Sequence, residues 1–163
     1  MLYETQLKRS ARLRFFTVFE IVGHIVIQKT IRKRNMAQAK VLVLTGHGTN
    51  CERETAHTAR IAGADTVTIC HFADLLQGTV RIGDFNFLVF PGGFLDGDHL
   101  GAAQAAAARF TYSRTPDGRS LLEEIRDLHQ GGGLILGICN GFQLLAKLGL
   151  LPALPGESVQ QQV

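Results

Sequence analysis

The chain alternates between short apolar runs and segments whose apolar positions recur at helical spacing. Residues 40–45, with Val41-Leu42-Val43-Leu44 at their centre, predict a first strand. Residues 65–71, rich in β-branched side chains, predict a second, and residues 85–90 a third. The run 134–138 (Leu134-Ile135-Leu136-Gly137-Ile138) reads as a short buried strand. A helix is expected over residues 52–62, with Ala56, Ala59 and Ile61 covering its inner side and Gly63 ending it. An Ala-rich helix is expected over residues 100–110, followed by a surface turn at Thr115-Pro116-Asp117-Gly118. Ser120 and Glu123 have capping-box spacing and open a helix that ends near His129, closed by Gly131-Gly132-Gly133. The last helical pattern has Phe142, Leu144, Leu145 and Leu148 on its apolar face and Gly149 just beyond its end.

Strands alternating with helices imply an α/β fold with a mostly parallel sheet and helices on both faces. Sites in such sheets lie beyond the carboxyl ends of the strands. Residues 46–50, 91–94 and Cys139 all fall on that edge.

Cys139 is the centre of the pattern. It follows the 134–138 run directly, stands between Gly137 and Gly141, and precedes a helix. That is the strand–nucleophile–helix layout of a nucleophile elbow, with Cys in place of the usual Ser. A helix N-terminus supplies unpaired N–H groups and a positive dipole end, which stabilise negative charge on sulfur. The bland alternative is a buried structural Cys behind a Gly-rich turn.

Charge is unevenly placed. Residues 1–35 hold eight Lys/Arg and two Asp/Glu, so the remaining residues are mildly acidic although the whole chain is +3. A folded nucleic-acid-binding face is not expected from this distribution. The apolar stretch from Phe15 to Ile27 is interrupted by Glu20 and His24 and is too short to span a bilayer. Residues 1–35 are read as a basic leader outside the fold, with Met36 as an internal start; a targeting segment is the alternative. Three cysteines without CxxC or metal-type spacing fit a reducing cytoplasm.

Gly137-Ile138-Cys139-Asn140-Gly141-Phe142-Gln143 resembles the nucleophile motif of the class I (triad) glutamine amidotransferases. Within them, Cys-Asn-Gly-Phe-Gln followed by Leu144-Leu145 and Leu148-Gly149-Leu150-Leu151-Pro152 is similar to the glutaminase branch of the phosphoribosylformylglycinamidine synthases. Pro91-Gly92-Gly93-Phe94 and Gly97-Asp98 resemble that family's oxyanion loop, and the likeness runs from about Lys40 to Pro152.

The resemblance implies a class I glutamine amidotransferase-like, flavodoxin-like three-layer fold. It implies that Cys139 attacks the carboxamide of glutamine, forming a glutamyl thioester and releasing ammonia. Gly93 and Asn140 would offer backbone N–H groups to the oxyanion, and Gln143 would contact the substrate. Read without the resemblance, Gly93 is a turn glycine and Gln143 an exposed helix position. A synthetase subunit or domain would accept the ammonia in purine biosynthesis and would hold ATP and Mg; this chain would hold no cofactor and no metal. His47 is read as a solvated or capping loop residue rather than the partner of Cys139. Cys51 and Cys70 are read as structural thiols, and Asp96 and Asp98 as loop hydrogen-bonding or partner-contacting residues.

The family's His and Glu, two residues apart and well after the nucleophile, complete its triad. After Cys139 this sequence has no His and only Glu157 as an acid. Residues 36–163 are therefore expected to be a C-terminally truncated domain with impaired activity. Two alternatives remain open: a non-catalytic remnant that docks the synthetase, and a different Cys-elbow α/β hydrolase or thiol protein.

Overall fold

The structure, a computed structural model, describes residues 38–151. The leader read at residues 1–35, Met36 and the tail from Pro152 lie outside the described residues. Four strands, β1 (Lys40–Thr45), β2 (Thr66–His71), β3 (Phe87–Phe90) and β4 (Leu134–Gly137), form one sheet in the order β2-β1-β3-β4. Every pairing is parallel. Val41, Leu42 and Val43 lie opposite Val67, Thr68 and Ile69 on one side and Phe87, Leu88 and Val89 on the other. β1 is thus central and buried on both faces, which is why it reads as an unbroken apolar run.

The two faces pack differently. Val41, Val43 and Val89 meet Ala56 of α1 (Glu52–Ile61). Leu42, Leu44, Leu88 and Phe90 face a larger cluster built by α2 (Phe72–Leu76), α3 (Gln104–Tyr112), α4 (Leu121–Gln130) and α5 (Asn140–Lys147). Its centre is aromatic: the Phe110 ring lies 4.8 Å from Phe72 and 5.8 Å from Phe90, both edge-on. Helices on both faces of a parallel sheet are the expected architecture.

The capping box of α4 forms as predicted. The Glu123 N–H donates to the Ser120 hydroxyl at 3.2 Å, and the Ser120 N–H donates to the Glu123 carboxylate at 2.7 Å. The Ser120 N–H and the Ser120 hydroxyl both donate to the Glu123 carboxylate and hold it below its usual range.

Several expectations are corrected. Ile61 is 70% exposed, because it lies two residues past Ala59 and so on the opposite side of α1. Phe142 is 55% exposed for a related reason: Gly141, Leu144, Leu145 and Leu148 define the buried arc, and Phe142 falls beside it. The Ala-rich helix begins at Gln104 rather than residue 100, since Ala103 adopts a left-handed conformation that a helix cannot contain. β3 starts at Phe87, because Phe85 closes a 3₁₀ turn over Ile82–Asp84. Among the described residues β4 is an edge strand paired only with β3, and Leu134 is 48% exposed, so it is not the buried strand its composition suggests. The short helix α2 was not anticipated. His71 caps it, accepting the Ala73 N–H at its Nδ1, while Asp74 accepts the His71 N–H.

Phe110→Ala should destabilise the domain by about 3–5 kcal/mol, as removal of a fully buried aromatic does. Phe142→Ala should stay within about 0.5 kcal/mol, since little of that ring is buried. Urea denaturation of the two variants checks the exposure assigned to Phe142.

Candidate active site

Three segments meet at the carboxyl edge of the sheet: residues 46–51 after β1, residues 91–97 after β3, and Cys139 after β4. Cys139 is exposed and has φ 52° and ψ −109°. A non-glycine residue in that region is strained, and such strain belongs to functional turns that the surroundings over-determine. Here the surroundings are tight. A Cβ on Gly141 would lie 2.1 Å from the Phe90 carbonyl oxygen, so only glycine lets the first turn of α5 rest on the end of β3.

The 91–97 loop is held against the 46–51 loop. Asn50 N–H donates to the Gly92 carbonyl at 2.9 Å, Phe94 N–H to the Gly48 carbonyl at 2.7 Å, and Asp96 N–H to the His47 carbonyl at 2.8 Å. Gly93, with φ 131°, forms an isolated antiparallel bridge with Thr49, and a Cβ there would lie 2.4 Å from the Asn50 nitrogen. The loop also reaches the elbow: a Cβ on Gly92 would sit 3.5 Å from the Cys139 Cβ. Among the described residues, the backbone N–H groups of Gly93 and Asn140 donate to no protein acceptor. The site thus brings an exposed thiol together with two free N–H groups.

Asn140 is buried, at 3% exposure. Its Oδ1 accepts the Leu95 N–H at 3.0 Å, and its Nδ2 donates to Gln143 Oε1 at 3.2 Å. Beneath it, Leu44, Phe90, Pro91, Leu95 and Leu144 close around a void of about 10 Å³, at most a single water. Sequence reasoning assigned Asn140 only its backbone N–H. A short polar side chain in the first turn of an otherwise apolar helix was the available signal for more.

The remaining candidates fall as follows. Gln143 is exposed on α5, one turn after Cys139. Asp96 pairs with Arg109, whose guanidinium lies 4.1 Å from the centroid of the Phe72 ring. Asp96 is therefore a loop-fixing residue, as expected. His47 stacks edge-on against His71 at 5.4 Å. Cys70 is buried, and burial pushes its thiol up to about 11. Cys51 is instead exposed, at the N-terminus of α1 with φ 68°, which corrects its reading as a structural thiol. A groove of about 400 Å³ lined by Arg81, Asn86, Arg119, Glu124 and Asp127 lies toward the amino ends of β3 and β4, away from the thiol.

Fold and site together define an α/β domain that carries an exposed cysteine at a sharp strand-to-helix elbow. The chain belongs to the CobB/CobQ-like glutamine amidotransferase domain family, whose profile matches residues 38–163. Over 124 residues it is 42% identical to the phosphoribosylformylglycinamidine synthase subunit PurQ of Methanococcus maripaludis strain C7, covering 76% of this chain and 42% of that protein. It is 42% identical over 117 residues to the subunit of the same name from Dehalococcoides mccartyi, covering 72% and 43%. Among solved structures it is similar to a chain in the structure of PurLQS from Thermotoga maritima, with TM-score 0.55 and 29% identity over 71% of this chain and 46% of that one. The chain spans less than half the length of these curated relatives. Among the described residues no helix is long and apolar enough to cross a membrane.

Alkylation with iodoacetamide at about pH 8 should modify Cys51 and Cys139 and spare Cys70, whose thiol stays protonated and covered. Peptide mass spectrometry resolves the three. The raised Cys70 thiol also makes the stability of the domain depend on pH. A thiol raised in the folded state favours folding below its unfolded value, and that contribution is lost as pH rises from about 9 toward about 11.

Proposed function

We propose that this domain is the glutamine-hydrolysing component of a phosphoribosylformylglycinamidine synthase. The observation that carries the reading is the exposed Cys139 on a strained elbow beside two unengaged backbone N–H groups. Family membership and the similarity to PurQ subunits support it over an unrelated Cys-elbow hydrolase.

In this reading the Cys139 thiolate attacks the side-chain carbonyl carbon of glutamine. The carbonyl oxygen becomes an oxyanion held by the Gly93 and Asn140 N–H groups. Collapse of the tetrahedral intermediate breaks the C–N bond, and the nitrogen leaves as ammonia after taking up a proton. The γ-glutamyl thioester is then cleaved by water to glutamate, which restores the thiol. Gln143, one turn along α5, contacts the substrate beside the nucleophile. Ammonia passes to a synthetase subunit, which carries ATP and Mg, in the cytoplasm; the chain itself uses no cofactor.

Residues 140–163 contain no histidine. A polypeptide of these 163 residues therefore has no triad-type base following its nucleophile. Such a polypeptide should form the covalent adduct far better than it turns over. A glutamine-mimicking electrophile should label Cys139 in competition with glutamine, and Cys139→Ser should abolish the labelling. Glutamate release by this polypeptide alone should be lower than by a complete amidotransferase by a factor on the order of 10⁴. Labelling that glutamine fails to suppress would refute the proposal. Binding to a synthetase without any labelling would favour the docking-remnant alternative.

A further inference from the structure

The buried carboxamide of Asn140 has a fixed orientation, and the cause lies outside it. The Leu95 backbone N–H can only donate, so the group it meets at 3.0 Å must be the Asn140 oxygen. The Asn140 NH₂ is then forced toward Gln143, 3.2 Å away, where it can only donate. Gln143 must answer with its own oxygen. Its Nε2, with two N–H donors, meets no acceptor among the described residues and stands at an exposed position, free for a ligand. Side chains on a helix lean toward its N-terminus, so this face lies over the turn that begins with Cys139. One loop amide thus sets the polarity of a surface group next to the nucleophile through two side chains.

We propose that Asn140 is a positioning residue that fixes the polarity of Gln143. The site then offers N–H donors, not an acceptor, to its ligand. The matching ligand group is an oxygen acceptor of the carboxylate class. The inference rests on the proposed glutamine-hydrolysing site and assigns the Asn140 side chain a role separate from its backbone N–H.

Asn140→Asp tests it in the full 163-residue chain. The aspartate retains the acceptor for Leu95, so the loop stays tied. Its second oxygen now faces Gln143 and turns the Gln143 amide over, bringing Nε2 inward and Oε1 outward. Gln143→Glu reaches the same end differently, by keeping an acceptor for Asn140 and removing the outward donors. Cys139 is labelled with two reagents, an amino-acid chloroketone that mimics glutamine and the small neutral iodoacetamide, and the two rates are compared.

In both single variants the chloroketone rate should fall about ten- to a hundredfold further than the iodoacetamide rate does. Retained chloroketone preference in Asn140→Asp would overturn the assignment. Equal loss of both rates would also overturn it, by reducing Asn140 to a structural role. A wild-type chain with no preference for the chloroketone would remove the glutamine-hydrolysing reading itself, and this inference with it.

Discussion

The close approach of Gly141 to the Phe90 carbonyl is the contact on which the site depends. An added Cβ would stand 2.1 Å from that oxygen and 2.7 Å from the Phe90 Cβ, distances that no side chain can occupy. With the backbone bare there, α5 rests on the end of β3 and the chain turns sharply enough to drive Cys139 into its strained conformation. The same approach puts Asn140 within reach of Leu95 and Cys139 beside Gly92. The exposed thiol, the Asn140 N–H and the Asn140–Gln143 pair all inherit their positions from one backbone contact.

Strain gathers along the same edge. Cys51, Asp96 and Cys139 have positive φ, and each stands in one of the three segments that converge there. Each is restrained by a different device. Asp96 is gripped by Arg109 and by the His47 carbonyl. Cys51 follows Asn50, whose own N–H is bound to Gly92. Cys139 is trapped between a parallel ladder and the bare turn of α5. Such conformations cost of order 1–3 kcal/mol each, and the buried aromatic and aliphatic cluster beneath them is what offsets that cost.

The fold was legible where one period dominated. β1 is apolar throughout because both its faces are covered, and the Ser120–Glu123 spacing marked the start of α4 to the residue. Legibility failed where a residue type implied burial that geometry refused. Ile61 and Phe142 are apolar but fall off the buried arcs of their helices, and Leu134 lies on an edge strand with one neighbour among the described residues. α2 was missed because its cap is a histidine, outside the Ser, Thr, Asp and Asn set that announces a helix. At the site, the Gly137-x-Cys139-x-Gly141 pattern located the strained elbow between β4 and α5. It said nothing of the Asn140 side chain, whose partner Leu95 lies 45 residues away. Long-range pairings of that kind leave no local periodicity to read.

The Leu95 amide has a consequence for motion. Backbone in surface loops ordinarily opens to solvent on its own, at little free-energy cost and independently of the helices it joins. Here the loop after β3 is stitched on one side to residues 46–51 and on the other to a buried side chain of α5. It has no separate opening: releasing Leu95 means unseating Asn140, and with it the turn that carries the thiol. The edge of the sheet is therefore expected to open as one cooperative unit. In hydrogen exchange, the bonded amides of Phe94, Leu95 and Asp96 would carry the protection of the helix, while the unbonded Gly93 amide would exchange as a loop amide does.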